Sequence, residues 1–310
     1  MQLSDRIGRR MKLQDLHILM TVVQAGSMNK AATLLNTAQP AVSRSIADLE
    51  YALGVPLLDR RQHGVEPTGY GHALLDRCVT VFDELRQGVK SIEHLADPTA
   101  GEVRFGCHPF LAAGFVSAVV ERVSRRYPRI VFHIVGEGGD QLYRELYDRN
   151  VDFLIARKSP ATSDERLGFE GLFSDTYVVA AGLQHPLARR RRLKLAELAE
   201  HPWAMPLSGT TAALIVREAF RAGGLDLPRI AAFAIPEARV NMVATGGLLS
   251  IFSELRLLHT HSNMKVLPIA LPTAPVQSGI VTLKNRTLSP LAKLFIDTAR
   301  QLAKPLAKRT

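Results

Sequence analysis

The sequence lacks the features that mark membrane-spanning, secreted or disulfide-bonded proteins. No apolar run approaches the ~20 residues that a transmembrane helix requires. The first ten residues, MQLSDRIGRR, lack the apolar core of a signal peptide. Two cysteines, Cys78 and Cys107, are too few for a disulfide framework. We therefore expect a cytoplasmic protein without a membrane partner, whose 310 residues form two or three globular domains.

Recognisable catalytic and metal-binding motifs are also missing. The spacing of residues reveals no nucleophile–base pair, metal-ligand set or phosphate-binding loop. Cys107, His108 and His133 together invite a metal site, but neither CxxC nor HxxxH spacing supports one. Unpaired core or surface residues explain these three side chains better. The sequence therefore predicts a protein that is not an enzyme and needs no cofactor or metal.

The basic charge of the chain is unevenly distributed. The formal net charge is +10 at pH 7, with 39 Lys and Arg against 29 Asp and Glu. Residues 1–97 contain 11 of each sign, so the excess of 28 over 18 lies in residues 98–310. Net charge alone therefore gives weak support for nucleic-acid binding, and particular positions must carry that hypothesis.

The most informative stretch, from Ser27 to Leu53, has the pattern of two helices separated by a short turn. Ser27 is a favourable N-cap, and Pro40 fits the first turn of the second helix. The first helix has an apolar face formed by Ala31, Ala32, Leu34 and Leu35. The second has an apolar face at helical spacing, formed by Val42, Ile46, Leu49 and Leu53.

The opposite face of the second helix carries Gln39, Ser43 and Arg44 close to the helix start. A helix in the DNA major groove reads base edges with residues near its N-terminus. Gln suits adenine, Arg suits guanine or phosphate, and Ser suits either kind of partner. The alternative is a helical corner of an ordinary core with a solvated polar face. Periodicity alone does not separate these two interpretations.

The run from Leu13 to Leu75 closely resembles the N-terminal domain of LysR-type transcriptional regulators. The matching residues are LQDLHILMTVVQAGSMNKAATLLNTAQPAVSRSIADLEYALGVPLLDR, followed by EPTGYGHALL. The resemblance implies a winged helix-turn-helix domain over residues 1–68 that binds double-stranded DNA. On this basis the expected DNA contacts in the helices are Ser27, Lys30, Gln39, Pro40, Ser43 and Arg44.

The segment DRRQHGVEPTG, after Leu57 and Leu58, is predicted to form a short β-hairpin with Gly64 at its tip. In the resembling family this hairpin is the wing. Its basic residues would lie beside the DNA backbone or minor groove and contribute salt-sensitive affinity. They are Arg60, Arg61 and His63. The alternative for them is an exposed surface position.

One long helix without proline is predicted from about Tyr70 to Leu95. A heptad-like seam runs along it, formed by Leu74, Cys78, Val81, Leu85, Gly88 and Ile92. The seam favours pairing with another helix over packing on its own domain. This matches the family's linker helix, here 69–97, and implies a homodimer; the resemblance further implies a homotetramer.

Residues 98–310 change to alternating strands and helices, which gives an α/β fold class overall. Two subdomains are predicted, the first over about 98–172 and 276–310 and the second over about 173–275. A long strand, Phe173–Gly182, would cross between them. A ligand cleft is expected at the carboxyl ends of the strands. This part resembles the family's effector domain, which is similar to periplasmic binding proteins.

The expected effector contacts lie at strand ends and helix starts around this cleft. They are Cys107, His108, Pro109, Phe110, Gly139, Asp140, Ser208, Gly209, Thr210, Glu237 and Phe252. Each is equally explained as an N-cap or a turn residue. Many family members carry a small hydroxyl residue where His108, Pro109 and Phe110 stand. The departure argues against a simple aromatic acid and leaves a sugar or another organic acid as the small-molecule effector.

The residues and the resemblance together predict a bacterial transcriptional regulator of the LysR type. It would bind interrupted palindromic promoter sites, respond to a small molecule and contact RNA polymerase. The alternative is a solute-binding or cleft-enzyme domain with an appended helical module for protein interaction.

Overall fold

The computed structural model describes residues 11–61, 64–136, 138–258, 263–269, 271 and 275–307. Its backbone contacts divide the chain into two units, Met1–Val89 and Lys90–Thr310. No helix among these described residues is long and apolar enough to cross a membrane.

The first unit contains three short helices, a hairpin and most of a long helix. The helices are α1 (Leu13–Ala25), α2 (Met28–Leu34) and α3 (Gln39–Leu53). The antiparallel hairpin consists of β1 (Leu58–Arg61) and β2 (Gly64–Pro67), and α4 (Gly69–Ala96) continues into the second unit. Glycines with positive φ, Gly26 at 65° and Gly54 at 76°, end α1 and α3, as expected for left-handed helix termini.

The core of the first unit is built from the apolar faces of α1, α2 and α3. Leu19, Val22, Ala31, Val42, Ile46 and Leu49 are completely buried there. The predicted apolar face of α2 is wrong at one position, because 66% of Leu34 is exposed. Ala31, Ala32 and Leu35 contact the core of the first unit, and Leu34 lies outside it.

The seam predicted along α4 does not face one partner throughout. Leu74 and Cys78 pack against the core of the first unit, and Cys78 is only 1% exposed. Val81, Leu85 and Ile92 further along the helix are exposed by 40%, 47% and 68%. The first two seam positions therefore serve the core of their own domain, and only the later ones remain available to a second helix.

The second unit is an α/β structure with two five-stranded mixed sheets. Its first half contains β3 (Ala100–Cys107), α5 (Pro109–Leu111), a π-helical turn (Ala112–Val116), α6 (Ser117–Arg126), β4 (Arg129–Gly136), α7 (Asp140–Tyr147), β5 (Phe153–Arg157) and β6 (Leu167–Asp175). The next part contains β7 (Tyr177–Gly182), α8 (Leu195–Ala199), β8 (Trp203–Pro206), α9 (Thr211–Ala222), β9 (Ile230–Ala234) and α10 (Pro236–Thr245). It ends with β10 (Leu249–Ser253), α11 (Glu254–Leu258), β11 (Met264–Val266), β12 (Val276–Leu283) and α12 (Pro290–Ala307).

Sheet I has the strand order β4-β3-β5-β12-β6, and sheet II has the order β11-β7-β10-β8-β9. In sheet I, β3, β4 and β5 are parallel, whereas β12 runs antiparallel to β5 and β6. In sheet II, β8, β9 and β10 are parallel and β7 is antiparallel to β10. Aromatic packing of Phe105, Phe153 and Phe295 fills the core beside sheet I, and Trp203 packs on Phe220 beside sheet II.

The single strand predicted over Phe173–Gly182 is wrong, because the structure has two strands there. β6 ends at Asp175 in sheet I, Thr176 intervenes, and β7 begins at Tyr177 in sheet II. The buried carboxylate of Asp175 accepts hydrogen bonds from Ser253 Oγ at 2.6 Å and Leu255 N at 3.3 Å. These bonds hold the chain at the point where it changes sheets.

Candidate DNA-reading helix and effector cavity

The start of α3 presents polar side chains on the face opposite its buried seam. Pro40 and Arg44 are exposed, and Gln39 and Ser43 are partly exposed. Pro40 lies in the first turn, where a missing N–H breaks no helical hydrogen bond. The structure therefore places these four residues together on the N-terminal part of one helix. That is the arrangement with which a recognition helix meets base edges and phosphates.

Two polar contacts, which sequence reasoning missed, hold α3 in place. Ser45 Oγ donates a hydrogen bond to Asp15 Oδ1 at 2.6 Å and thereby joins α3 to α1. Glu50 Oε1 accepts from the backbone N–H groups of Leu57 and Leu58 at 2.7 and 3.1 Å. The second contact ties α3 to the start of the wing, so the orientation of the reading face does not depend on apolar packing alone.

The remaining predicted DNA contacts lie on α2 and the wing. Ser27 is the N-cap residue of α2, but its hydroxyl makes none of the predicted capping hydrogen bonds. Lys30 is exposed on the same helix. Arg60 and Arg61 lie on β1, opposite Val65 and Gly64 in the hairpin register. His63 lies outside the described residues.

A cavity of about 600 Å³ lies in the second unit at the carboxyl ends of strands from both sheets. Its polar and charged lining comes from His108, Asp140, Tyr143, Arg157, Lys158, Ser159, Tyr177, Thr210, Thr211, Arg239, Ser253 and Arg256. Apolar side chains, among them Pro109, Phe110, Leu207, Ile235 and Phe252, form much of the remaining surface. The volume and the mixed lining are those of a small-molecule site.

Eight of the eleven predicted effector contacts line this cavity. They are His108, Pro109, Phe110, Gly139, Asp140, Gly209, Thr210 and Phe252. Three others do not line it among the described residues: Cys107, Ser208 and Glu237. Cys107 is completely buried in the core beside sheet I, and this burial raises the pKa of its thiol to about 11. The Glu237 carboxylate is 58% exposed and accepts a hydrogen bond from Arg256.

Arg157, at the end of β5, is a buried cation whose charge is already balanced. Its Nη2 donates to Asp175 Oδ2 at 2.7 Å, and Nη1 donates to the Tyr177 hydroxyl. The guanidinium carbon also lies 3.8 Å from the ring centroid of Phe110 and 4.4 Å from that of Tyr177. Desolvation lowers the pKa of Arg157, while the Asp175 carboxylate acts in the opposite direction.

Arg239, on α10, is a buried cation without such a balance. Only 4% of the residue is exposed, and Nη1 donates to the neutral oxygens of Ser250 Oγ at 2.9 Å and Ile251 O at 2.5 Å. No carboxylate in the described part of the chain forms an ion pair with it, and its buried Nε has no hydrogen-bond partner there. Burial first, and then the neighbouring Arg256, lower its pKa to about 10, while the Glu237 carboxylate acts in the opposite direction. Arg239 is therefore still charged at neutral pH.

Arg256, on α11, adds a second guanidinium on the side of sheet II. Its side chain is 8% exposed, and Nη2 lies 3.0 Å from Glu237 Oε1. Among the charged residues that line the cavity, four are basic (Arg157, Lys158, Arg239 and Arg256) and one is acidic (Asp140). Because Arg157 and Arg256 are paired with Asp175 and Glu237, the positive field of the cavity comes chiefly from Arg239 and Lys158. Burial strengthens the contribution of Arg239 because little water screens it.

His108 contributes a neutral imidazole rather than a further cation. Its Nδ1 accepts a hydrogen bond from the backbone N–H of Arg157 at 3.2 Å, and its ring stacks on Phe110 with centroids 5.6 Å apart. Burial, assisted by the positive charge of Arg157, lowers the pKa of His108 from 6.5 to about 4. The ring is uncharged at neutral pH.

Three arginines that line the cavity were missed by sequence reasoning: Arg157, Arg239 and Arg256. Arg157 is the last residue of the otherwise apolar strand FLIAR. A charged residue at the carboxyl end of a buried strand indicates a ligand site, so Arg157 could have been predicted. Arg256 likewise follows β10 directly. Arg239 lies within a helix that has no distinctive pattern, so its burial depends on how α10 packs against β10.

A helix-turn-helix head with a wing and a two-sheet domain enclosing a small-molecule cavity define a ligand-responsive DNA-binding protein. Residues 13–72 match the bacterial regulatory helix-turn-helix model of the lysR family, and residues 96–304 match the LysR substrate binding domain. The chain belongs to the LysR family of transcriptional regulators and has the family's DNA-binding and effector-binding domains.

Individual relatives cover nearly the whole chain. The uncharacterized HTH-type transcriptional regulator YybE of Bacillus subtilis is 30% identical over 288 residues, which span 92% of this chain and 97% of YybE. The HTH-type transcriptional regulator GbpR of Azospirillum brasilense is 26% identical and covers 94% of this chain and 86% of its own. A full-length OxyR variant from Pseudomonas aeruginosa shares the fold, with a TM-score of 0.66 at 18% identity over 96% of this chain and 97% of its own.

Proposed function

We propose that this LysR-type regulator responds to an organic anion bound in the cavity between sheets I and II. The observation that carries the proposal is the buried guanidinium of Arg239, which lines the cavity with only neutral hydrogen-bond partners in the described structure. A buried charge is costly when no carboxylate pairs with it directly, and the influence of Glu237 on Arg239 is coulombic only. A ligand carboxylate would supply a direct ion pair, so binding energy becomes available that a neutral sugar does not offer.

The apolar surfaces of Phe110, Phe252 and Ile235 favour an anion with a hydrocarbon body over a polyol. A sugar needs a polar partner for most of its hydroxyl groups, because unpaired polar groups are penalised on burial. Of the two classes of effector expected from the sequence, a sugar or an organic acid, the cavity therefore favours an organic acid.

Thermal unfolding of the full chain tests the proposal. The ligands are monocarboxylates with aliphatic or aromatic bodies, and neutral sugars of similar size serve for comparison. A ligand at a hundred times its dissociation constant stabilises the native state by ~2.7 kcal/mol, so a carboxylate hit is readily detected. Arg239→Gln removes this stabilisation, whereas Arg125→Gln, at an exposed position paired with Glu121, preserves it. Stabilisation by sugars alone contradicts the proposal.

The DNA-binding side of the proposal rests on the α3 face and the wing. We propose that Gln39, Ser43 and Arg44 read bases in the major groove and that Ser27, Lys30, Pro40, Arg60, Arg61 and His63 complete the DNA contacts. Two such heads in a dimer would read an interrupted palindrome with half-sites about one helical turn apart. Differential affinity of the effector for two arrangements of the assembly would alter contact with RNA polymerase.

Several organisational features are part of the same proposal. The domain limits are 1–68, 69–97 and 98–310, with the exposed apolar residues of α4 pairing in a homodimer and two dimers forming a tetramer. A regulator of this kind acts on the chromosome, so the proposed location is the bacterial cytoplasm. The proposed activity is regulation of transcription without catalysis. A gel-shift assay with promoter DNA separates this proposal from a ligand-binding or enzymatic domain that carries a protein-interaction module.

A further inference from the structure

The imidazole of His108 is held in one orientation by the backbone of the neighbouring strand. The backbone N–H of His108 donates to the carbonyl oxygen of Ile155 at 3.3 Å. The backbone N–H of Arg157, two residues further along the chain, donates to His108 Nδ1 at 3.2 Å. The side chain thus continues the pairing of β3 with β5 by one further bond. Stacking on Phe110 restrains the ring from its face. The tautomer therefore follows from the backbone geometry.

Because Nδ1 accepts a hydrogen bond, it carries no proton, and a neutral ring then holds its proton on Nε2. The ring belongs to the cavity wall, and no hydrogen bond from Nε2 to another described residue is formed. His108 consequently brings to the cavity a directional N–H donor without charge.

Two of the buried cations of the cavity are separated from this donor by their position in the fold, whereas Lys158, which follows β5 of sheet I, is exposed, so solvent screens its charge. Arg239 and Arg256 approach from α10 and α11 on the side of sheet II, whereas His108 follows β3 of sheet I. Arg157, near His108, is already paired with Asp175. A carboxylate gains more from a charge-assisted bond to guanidinium than from a neutral donor. The anionic end of a ligand is therefore expected on the sheet II side, which leaves His108 for a different part of the ligand.

We infer that His108 is a specificity-determining residue that donates its Nε2–H to a neutral oxygen of the effector, and that the effector is a carboxylate bearing a hydroxyl or keto oxygen. The inference rests on the proposed organic anion and adds the second functional group. A ligand without that oxygen leaves the imidazole donor unpaired in a largely desolvated site, which lowers its affinity.

Matched pairs of ligands test the inference with the full chain. The probes are butyrate, 2-hydroxybutyrate and 3-hydroxybutyrate, and phenylacetate, mandelate and 4-hydroxyphenylacetate. Isothermal titration is expected to show at least tenfold tighter binding for an oxygenated member than for its plain parent. In His108→Phe the ratio of the two affinities is expected to fall to about one, and His108→Gln, which retains a neutral donor, restores part of the preference.

The outcomes distinguish a failure of the His108 inference from a failure of the organic-anion proposal. Equal binding of plain and oxygenated carboxylates, or a preference that survives in His108→Phe, overturns the role of His108 but leaves the anion proposal standing. If none of the carboxylates binds, the anion proposal fails and the inference falls with it. Nitrogen-15 NMR of labelled histidine provides a ligand-free check, because a His108 ring protonated on Nδ1 at neutral pH overturns the inference directly.

Discussion

The Nη2 of Arg157 lies 2.7 Å from Oδ2 of Asp175, and the two side chains are only 6% and 2% exposed. Arg157 ends β5 and Asp175 ends β6, so the ion pair lies where the chain leaves sheet I for sheet II. Ser253 Oγ, from the end of β10 in sheet II, donates to the same carboxylate oxygen of Asp175. The pair therefore links both sheets beside the cavity, which Arg157 and Ser253 line.

Asp175→Asn is expected to lower the free energy of unfolding of the second unit by about 3–5 kcal/mol, because it leaves the Arg157 charge buried without a counter-ion. Urea denaturation measures the change. Glu170→Gln is the matched control, since it removes the carboxylate of a half-exposed pair with Arg300 and is expected to cost at most about 1 kcal/mol. Equal losses in the two variants contradict the structural role of the buried pair.

Two glycines of α4 are expected to respond to alanine with opposite signs. A Cβ at Gly71 would overlap the carbonyl oxygen of Leu57 and lie 3.2 Å from Pro67 Cβ, so Gly71→Ala should destabilise the first unit by about 1–3 kcal/mol. A Cβ at Gly88 meets nothing within 4 Å, and Gly88→Ala should stabilise the helix by about 0.5–1 kcal/mol. Urea unfolding of the two variants checks the signs. A neutral Gly71→Ala argues against the close approach of Leu57 to α4.

His108 gives the second unit a defined pH dependence. Its pKa is about 4 in the folded protein, lowered chiefly by burial, against 6.5 for an ordinary histidine. The unfolded chain therefore binds the extra proton between pH 6.5 and 4, and stability falls as the pH drops through that window. At pH 5 the loss from this group is about 2 kcal/mol. His108→Gln should reduce the loss between pH 7 and 5 by that amount, and an unchanged loss contradicts a buried neutral imidazole.

The exposed apolar residues of α4 predict the assembly state. Leu85→Glu places a charge in the proposed helix pair and is expected to shift the dimer towards monomer, because an unpaired charge in an apolar interface is strongly disfavoured. Sedimentation velocity measures the shift. Leu214→Glu on α9, at a position 60% exposed, is the control and should sediment like the wild type. A dimer that tolerates Leu85→Glu would place the interface elsewhere.

The sequence predicted the elements whose residue pattern is local. The helix-turn-helix could be predicted because Val42, Ile46 and Leu49 follow helical spacing and the polar face lies on the same short helix. The wing followed from glycine and proline positions between two short runs. The strand break at Thr176 could not be predicted, since the β-forming run Phe173–Gly182 contains no glycine or proline before its last residue.

The position of the effector cavity could be predicted from the ends of the strands. Its buried charged residues could be predicted less well. His108, Phe110 and Thr210 follow strands or begin helices, and that is where a cleft in an α/β domain finds its ligands. Arg239 was missed because an arginine within a helix ordinarily faces solvent. Only the packing of α10 on β10 turns its guanidinium towards Ser250 and Ile251, and that packing depends on residues distant in the sequence.

The most direct test of the central claim is the affinity of full-length protein for its own promoter DNA at moderate salt, compared between wild type and Arg44→Ala. Arg44 is exposed on the polar face of α3, and losing a base contact costs about 1–3 kcal/mol, so binding should weaken by roughly 5- to 160-fold with unfolding unchanged. Arg125→Ala, which removes one positive charge from the surface of α6, should bind normally. Unchanged affinity in Arg44→Ala would contradict the assignment of α3 as the DNA-reading helix.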